Sequence, residues 1–411
     1  MRSFAIGAAL LGLTAGNGWA QGYAANIPAD HPAIRYAEAP ADDPVTRFAR
    51  RLEAGTAKLR FRESGPGYLQ DLLEGLGVPV DSQALVFSKT SFQAARISPR
   101  NPRAIYFSDD VVVGWVRGGA GFELAGLDAR QGVVFYTLDG KPSETLRLVR
   151  RRDCLQCHQT AATLGVPGIF VGSVYPDASG MPYREAAIIT DHSTPFADRW
   201  GGWYVNAVRG EQRDRANAVA PDPAEPKSLD TAGRQNLLSL AREFDASGYL
   251  APVSDIVALM TLEHQTKMTN LLIRAGWEWR TGGQAGVDAL VDYMLFVEEA
   301  PLREPVEGVS SFTSTFARRG PFDRQGRSLR QFDLRTRLFR YPLSYMIYSA
   351  AFDGLPEVVR DGVYRRLYEI LSGRDGRARY ASLTGESRRA ILEIVRDTKT
   401  GLPEYWKLPE H

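Results

Sequence analysis

The sequence predicts an α+β protein with a β-rich N-terminal half and a helical C-terminal half. Three observations carry that expectation. Between Ala84 and Leu148 the chain breaks into short β-branched or aromatic runs separated by turn residues. From about residue 237 onward, longer segments with helical periodicity take over. Between them, residues 210–236 (GEQRDRANAVAPDPAEPKSLDTAGRQN) are polar and punctuated by proline, as a linker would be.

The elements follow in order. Residues 1–20 have Arg2 near the start, an apolar run from Phe4 to about Ala15, and a small-x-small end at Gly18-Trp19-Ala20. That pattern predicts a cleaved signal peptide rather than an anchor, because the run is short of the ~20 apolar residues that span a bilayer. Residues 21–45, rich in Ala and Pro without periodicity, read as an extended arm. The β-rich region then covers 46–209. It opens with helices over Pro44–Leu59 and Gly67–Leu76, the second closed by Gly77. Strands are expected at Ala84–Phe87, Ala104–Phe107, Val111–Val116 and Val133–Leu138, then at Ile169–Tyr175, Tyr183–Thr190 and Trp203–Ala207. The helical region, 237–411, carries its clearest periodicity at Ser254–Ala275, Gly286–Glu299, Ser344–Phe352, Glu357–Leu371 and Glu386–Thr398. No internal repeat is visible.

Composition narrows the function. The chain has 411 residues, 44% of them hydrophobic and 24% charged, with a formal net charge of +2. These are ordinary globular values. No large field points to nucleic acid or to an anionic membrane surface. Local basic runs, at Arg147–Arg152 and between Arg318 and Arg340, read first as solvated faces.

The chemistry gathers at one place. The two cysteines of the chain lie in Cys154-Leu155-Gln156-Cys157-His158. C-x-x-C-H is the spacing by which haem c is attached. Thiols at i and i+3 of one helical turn reach the two vinyl groups of one porphyrin, and the next residue brings its imidazole under the iron. A thioredoxin-like dithiol would have no need of His158. A zinc site would require further ligands, and no other cysteine exists. Covalent haem attachment takes place outside the bacterial cytoplasm, which agrees with a leader and a periplasmic location. The cofactor expected is therefore one covalent haem c with its iron, with Cys154, Cys157 and His158 as its binding residues and His158 as proximal ligand. One of Arg150–Arg152 could pair with a haem propionate.

The opposite face of the iron is less determined. Besides His158 the chain has His31, His192, His264 and His411. His264 shares a helical stripe with Val257, Met260, Met268 and Leu271, so it is the leading candidate for distal iron ligand. A core histidine among space-filling methionines would produce the same stripe. His192, in the turn Asp191-His192-Ser193-Thr194-Pro195, is the alternative, followed by a methionine such as Met181 or an open site. The aromatic cluster Arg199-Trp200-Gly201-Gly202-Trp203-Tyr204 reads as a buried hairpin or as a wall of the haem pocket.

The pentapeptide resembles the attachment site of c-type cytochromes, over five residues. The chain as a whole looks like the large single-haem periplasmic cytochromes of environmental bacteria. The matching stretches are Ser98-Pro-Arg-Asn-Pro-Arg-Ala-Ile-Tyr-Phe, Arg199-Trp-Gly-Gly-Trp-Tyr, Leu262-Glu-His-Gln and Arg335-Thr-Arg-Leu-Phe-Arg-Tyr-Pro. The resemblance implies thioethers at Cys154 and Cys157 and a proximal His158. It implies nothing about the distal side. The strands around the motif, and the long chain before it, set this protein apart from a small all-helical cytochrome c.

Three functions fit. The first is single-electron transfer with a periplasmic redox partner protein. The second is a haem oxidoreductase, peroxidase-like or oxidising a small substrate, with an open or displaceable distal site where Glu263 or His192 would serve as acid or base. The third is a redox or gas sensor. None of them calls for nucleic acid or, after leader cleavage, for an integral membrane segment.

Overall fold

The computed structural model describes residues 25–183 and 187–407, so the expected leader and His411 lie outside the described residues. The architecture is α+β, with an antiparallel sheet in the N-terminal half and helices in the C-terminal half. The chain opens with α1 (Pro44–Glu53) and α2 (Leu69–Leu76). Asp43 caps α1 by accepting from the amides of Val45 and Thr46, and left-handed Gly77 ends α2.

Strands β1 (Ala84–Val86), β2 (Arg103–Phe107), β3 (Val111–Val116), β4 (Gly121–Asp128), β5 (Gly132–Asp139) and β6 (Val149–Arg150) follow. With β9 (Trp203–Tyr204) they form one seven-stranded sheet in the order β6-β5-β4-β3-β2-β1-β9. The short helix α3 (Leu155–His158) follows β6, and a two-stranded ribbon, β7 (Val171–Ser173) with β8 (Ile188–Thr190), precedes β9. Strand β4 is absent from the sequence prediction. Its two glycines, Ala125, Glu123 and Asp128 have weak strand propensity, and pairing on both sides overrides it.

Register divides the sheet into two unlike faces, because side chains alternate along each strand. One row, Tyr106–Val113–Leu124–Tyr136, is buried throughout, and α1 and α2 pack against it. There Tyr136 and Thr46 hydrogen-bond the Asp43 carboxylate. On the other face the row Ile105–Gly114–Glu123–Thr137–Val149 runs across five strands, with Gly114 buried, Ile105, Glu123 and Thr137 partly buried and Val149 exposed. This face is apolar at Phe135, Ala125 and Val112 and polar at Glu123 and Arg103. It is the surface beside which the cysteine motif sits.

The C-terminal half is built on α4 (Ile256–Arg280), with α5 (Val287–Met294), α6 (Phe312–Arg318), α7 (Ala350–Asp353), α8 (Glu357–Leu371), α9 (Gly385–Thr398) and α10 (Glu404–Lys407) around it. Helix α4 runs past the ends of two hairpins. Gln265 donates to the Ser108 carbonyl (2.7 Å) and Trp277 to that of Arg130 (3.1 Å). The segment expected as one helix over Ser344–Phe352 is instead a 3₁₀ turn (Tyr345–Tyr348) and then α7, divided at Ser349. Among the described residues, no helix is long and apolar enough to cross a membrane.

Two segments differ from their sequence reading. The arm is docked from Ala25 onward: Ile34 and Tyr36 are buried, and the Tyr36 hydroxyl donates to the Val133 carbonyl at 2.7 Å. Much of the start of the 210–236 segment is also embedded. Asp214 there pairs with Arg209 in a fully buried ion pair, and Asn217 bonds both backbone groups of Val205. The arm's Ala and Pro content and lack of periodicity predict an extended segment, and the polar, proline-punctuated composition of 210–236 predicts a linker. In both, the chain is instead held by contacts that periodicity does not record, and its polar groups find partners inside.

Candidate haem-attachment site

The motif is held in place from three directions. The amide of Arg151 donates to the Phe135 carbonyl (2.8 Å), which fixes the approach from β6 to the half-open face. Cys154 then caps α3, and its carbonyl accepts from Cys157 N and His158 N, so all three motif side chains leave a single turn. The loop 158–168 closes on itself. Gly168 N donates to the His158 carbonyl, and the His158 ring Nδ1 bonds the Gly168 carbonyl at 2.9 Å. Gly168 is required there, because a Cβ would lie 2.1 Å from Asn270 Oδ1. Asn270 of α4 in turn bonds both the N–H and C=O of Ile169. Through two contacts to Ile169, the long helix thus holds the loop on which His158 leans.

These contacts fix the chemistry of the ring. A carbonyl can only accept, so His158 Nδ1 carries the proton and Nε2 keeps its lone pair. Burial pushes the imidazole down to about 4, helped by the Arg103 charge, against which the Gly168 bond and Glu123 act. The ring lies between Phe135 (4.7 Å) and Phe170 (5.6 Å). A neutral imidazole with one nitrogen tied to the backbone and the other free is the form that ligates a metal. The two thiols are free, Cys154 half-buried and Cys157 exposed. Burial pushes the Cys154 thiol up to about 11, with the Asp153 charge adding to it.

Among the described residues, no three His, Cys, Asp or Glu side chains gather where a bare metal ion could sit. A zinc reading of the two cysteines therefore finds no ligand set. A haem asks less of the protein: two thiols and one imidazole on one turn, beside an apolar surface. The residues present fit that group. Comparison with family models, with curated proteins and with solved structures finds no match for this chain.

The structure does not bring His264 or His192 to the motif. It brings them to each other. Their Nδ1 atoms are 2.8 Å apart, and His264 Nε2 bonds Ser344 Oγ at 2.8 Å, so both ring nitrogens of His264 are engaged. Both rings are fully buried in a stack with Tyr293 and Phe296. Burial holds both well below the usual histidine range. Among the described residues, the aromatic neighbours of His158 and those of His264 have no member in common. Along α4, Asn270 faces the motif loop, whereas His264 lies about 9 Å back along the axis and points to another side. The apolar stripe could not discriminate here. From Ile256 to Trp277 every residue of α4 except Lys267 is buried, so the helix has no single core face.

Neighbouring residues complete this second cluster. Glu263 is fully buried and paired with Arg199 at 3.3 Å, and burial still raises its carboxyl to about 7 against the Arg199 charge. Arg199 also donates to the His192 carbonyl. Trp200 is buried with φ +66°, and Trp203 donates to the Gly172 carbonyl of β7. The aromatic cluster after His192 is therefore core. Met181 is half-exposed on the loop between β7 and β8.

The arginines before Cys154 are also committed elsewhere. Arg150 donates to the carbonyls of Tyr36 and Ala39, Arg152 to that of Ala37, and Arg151 pairs with Asp153. Arg150 and Arg152 thus tie down the arm. Five arginines of the later basic stretch pair internally: Arg319 and Arg330 with Asp109, Arg324 with Asp397, Arg327 with Asp323 and Arg337 with Glu299. The residues that sequence reasoning missed are Phe135, Phe170, Gly168, Asn270, Arg103 and Glu123. Nothing local marks them, because each is defined by what lies across the sheet or the helix.

Proposed function

We propose that the protein is a periplasmic monohaem c-type cytochrome that carries single electrons through a covalently held haem, with His158 as proximal ligand. The observation that carries this reading is the His158 ring: Nδ1 tied to the Gly168 carbonyl, Nε2 free, one turn from two unbonded thiols. When bound, the haem iron supplies a one-electron couple.

The chain's own residues do the rest. Cys154 and Cys157 would hold the porphyrin by thioether bonds. Gly168 and Asn270 orient the imidazole, and a bond to a carbonyl makes Nε2 a stronger donor. Phe135 and Phe170 pack against the ring. Cys157 is exposed, so the edge it holds would lie near the surface, where a redox partner protein can approach.

The test is export of the full chain in a host that matures c-type haem. Intact mass should equal the mature chain plus one haem, and the Cys154→Ala, Cys157→Ala double variant should carry none. A wild-type chain exported under those conditions without covalent haem would refute the reading.

A second reading is favoured by the placement of His192 and His264. With both committed to the core, neither holds the distal position; if no methionine takes it either, that position is open to a small ligand and the protein would be a haem oxidoreductase. Carbon monoxide added to the reduced protein separates the two. An unchanged low-spin spectrum supports the carrier, and ready binding supports the enzyme.

A further inference from the structure

We propose that Arg103 anchors a carboxylate of the bound haem, an inference that rests on the haem reading above and deepens it. Arg103 leaves β2 on the half-open face and crosses β3 at Gly114, where a Cβ would sit 2.4 Å from Nη2. The absent side chain of Gly114 is what gives the guanidinium its path. On the far side Nη2 meets Glu123 Oε2 of β4 at 2.5 Å. The carboxylate is then satisfied, because its Oε1 accepts from Ser91 Oγ (3.2 Å) and Gln93 Nε2 (3.3 Å).

The guanidinium is not satisfied. Its Nε is buried and has no hydrogen-bond partner among the described residues. A buried N–H of a charged group left without an acceptor is costly, and a carboxylate brought beside it would relieve that cost. The acceptor must be an anion or a strong neutral acceptor, and the place is beside the motif. Glu123 and Phe135 stand on adjacent strands two residues apart, about 8 Å between Cα atoms by strand geometry. His158 rests on that Phe135. A porphyrin carries its two carboxylates on the edge away from the thioether carbons, so a haem held by Cys154 and Cys157 and lying over the sheet face would bring them within reach of Arg103. Of the three arginines before Cys154, Arg151 pairs with Asp153 and Arg152 bonds the Ala37 carbonyl; Arg150 Nε is also buried without a hydrogen-bond partner, but both Nη atoms bond carbonyls of the arm and the guanidinium lies over the Tyr36 ring, which holds it to the arm.

The experiment compares haem-loaded wild type with Arg103→Gln, Arg103→Lys and Gly114→Ala, each confirmed by mass to carry covalent haem. Two properties are read: the ferric/ferrous midpoint, and the redox-difference infrared bands of isotope-labelled haem carboxylates. Losing the positive partner leaves a carboxylate charge that favours ferric iron. Arg103→Gln should therefore shift the equilibrium toward ferric by on the order of tenfold, and it should move the labelled carboxylate bands. Arg103→Lys should keep most of the midpoint, which a purely structural role would not predict. Gly114→Ala retains the charge but displaces it, so it should shift in the same direction as Arg103→Gln. It also keeps the test alive if Arg103→Gln fails to fold. Labelled bands and midpoint unchanged in Arg103→Gln or Gly114→Ala, with haem attached, would overturn the anchor while leaving the haem reading intact. A wild-type chain without haem would remove both together.

Discussion

Replacing His264 by alanine tests where the structure places this residue, and the expected cost follows from its contacts. The ring is fully buried and stacked on Tyr293 and Phe296. Removing it leaves a cavity of aromatic size, worth about 3 kcal/mol at the low end for such truncations. It also strips a partner from His192 Nδ1 and from Ser344 Oγ. Ser344 still accepts from the Met346 amide, but His192 Nε2 already lacks a partner, so its ring would be left with neither nitrogen bonded. That adds about 1–2 kcal/mol. The sum, about 4–5 kcal/mol, is a large part of the 5–15 kcal/mol typical of a folded protein. Urea unfolding of the haem-loaded protein, followed by tryptophan fluorescence in the cold, should show a much lower midpoint. The ferric and ferrous absorption spectra below that midpoint should match wild type. The reasoning is refuted by the opposite pair of results: a switch to high-spin iron with stability little changed would make His264 the distal ligand.

Other outcomes follow from the same geometry. In the haem-free protein, limited alkylation with iodoacetamide at pH 8 should modify exposed Cys157 well before Cys154, whose thiol is half-buried and raised to about 11; peptide mapping showing equal rates would contradict the placement of α3. Arg199→Met should destabilise by about 3–5 kcal/mol, because it strands the buried Glu263 carboxylate. Adding Glu263→Gln should recover much of that loss, and a double variant no better than the single would mean that the pair is not coupled. The haem-free chain should also lose stability in acid through His158. Its folded value of about 4 lies below the unfolded value of about 6.5. Its contribution is therefore complete above pH ~6.5 and is lost as pH falls toward 4, by at most about 3 kcal/mol. His158→Gln should flatten that part of the urea-midpoint profile relative to wild type, and an identical slope in the variant would count against a buried neutral ring.

How much of this was legible beforehand differs from element to element. Helix α8 lies over the expected Glu357–Leu371, and α9 differs from its expected span by one residue. Both are amphipathic helices on the outside of the helical half, where one face meets the core and the pattern records it. Strand β3 lies over the expected Val111–Val116 for a similar reason, its β-branched run being bounded by turn residues. Strand β4 was not legible, since its glycines serve neighbours. Gly126 makes room for the Asp43 carboxylate, whose Oδ1 would be 2.1 Å from an added Cβ. Periodicity failed on α4 because it lies in the core on all sides, so a stripe through His264 carried no information about what the stripe faces.

By itself the sequence determined the local chemistry: two thiols and an imidazole on one turn, an α+β order, and strands on both sides of the motif. Those properties depend on covalent spacing and short-range backbone preference, which a linear string records. Only the tertiary structure decided what surrounds the motif. It set Gly168 and Asn270 behind His158, Phe135 and the Arg103–Glu123 pair beside it, and His192 against His264 in a separate core. The physical reason is that each of these contacts joins residues from distant segments, and its energy depends on burial and on satisfied partners. Neither can be assigned until the strands have chosen their register and α4 its neighbours.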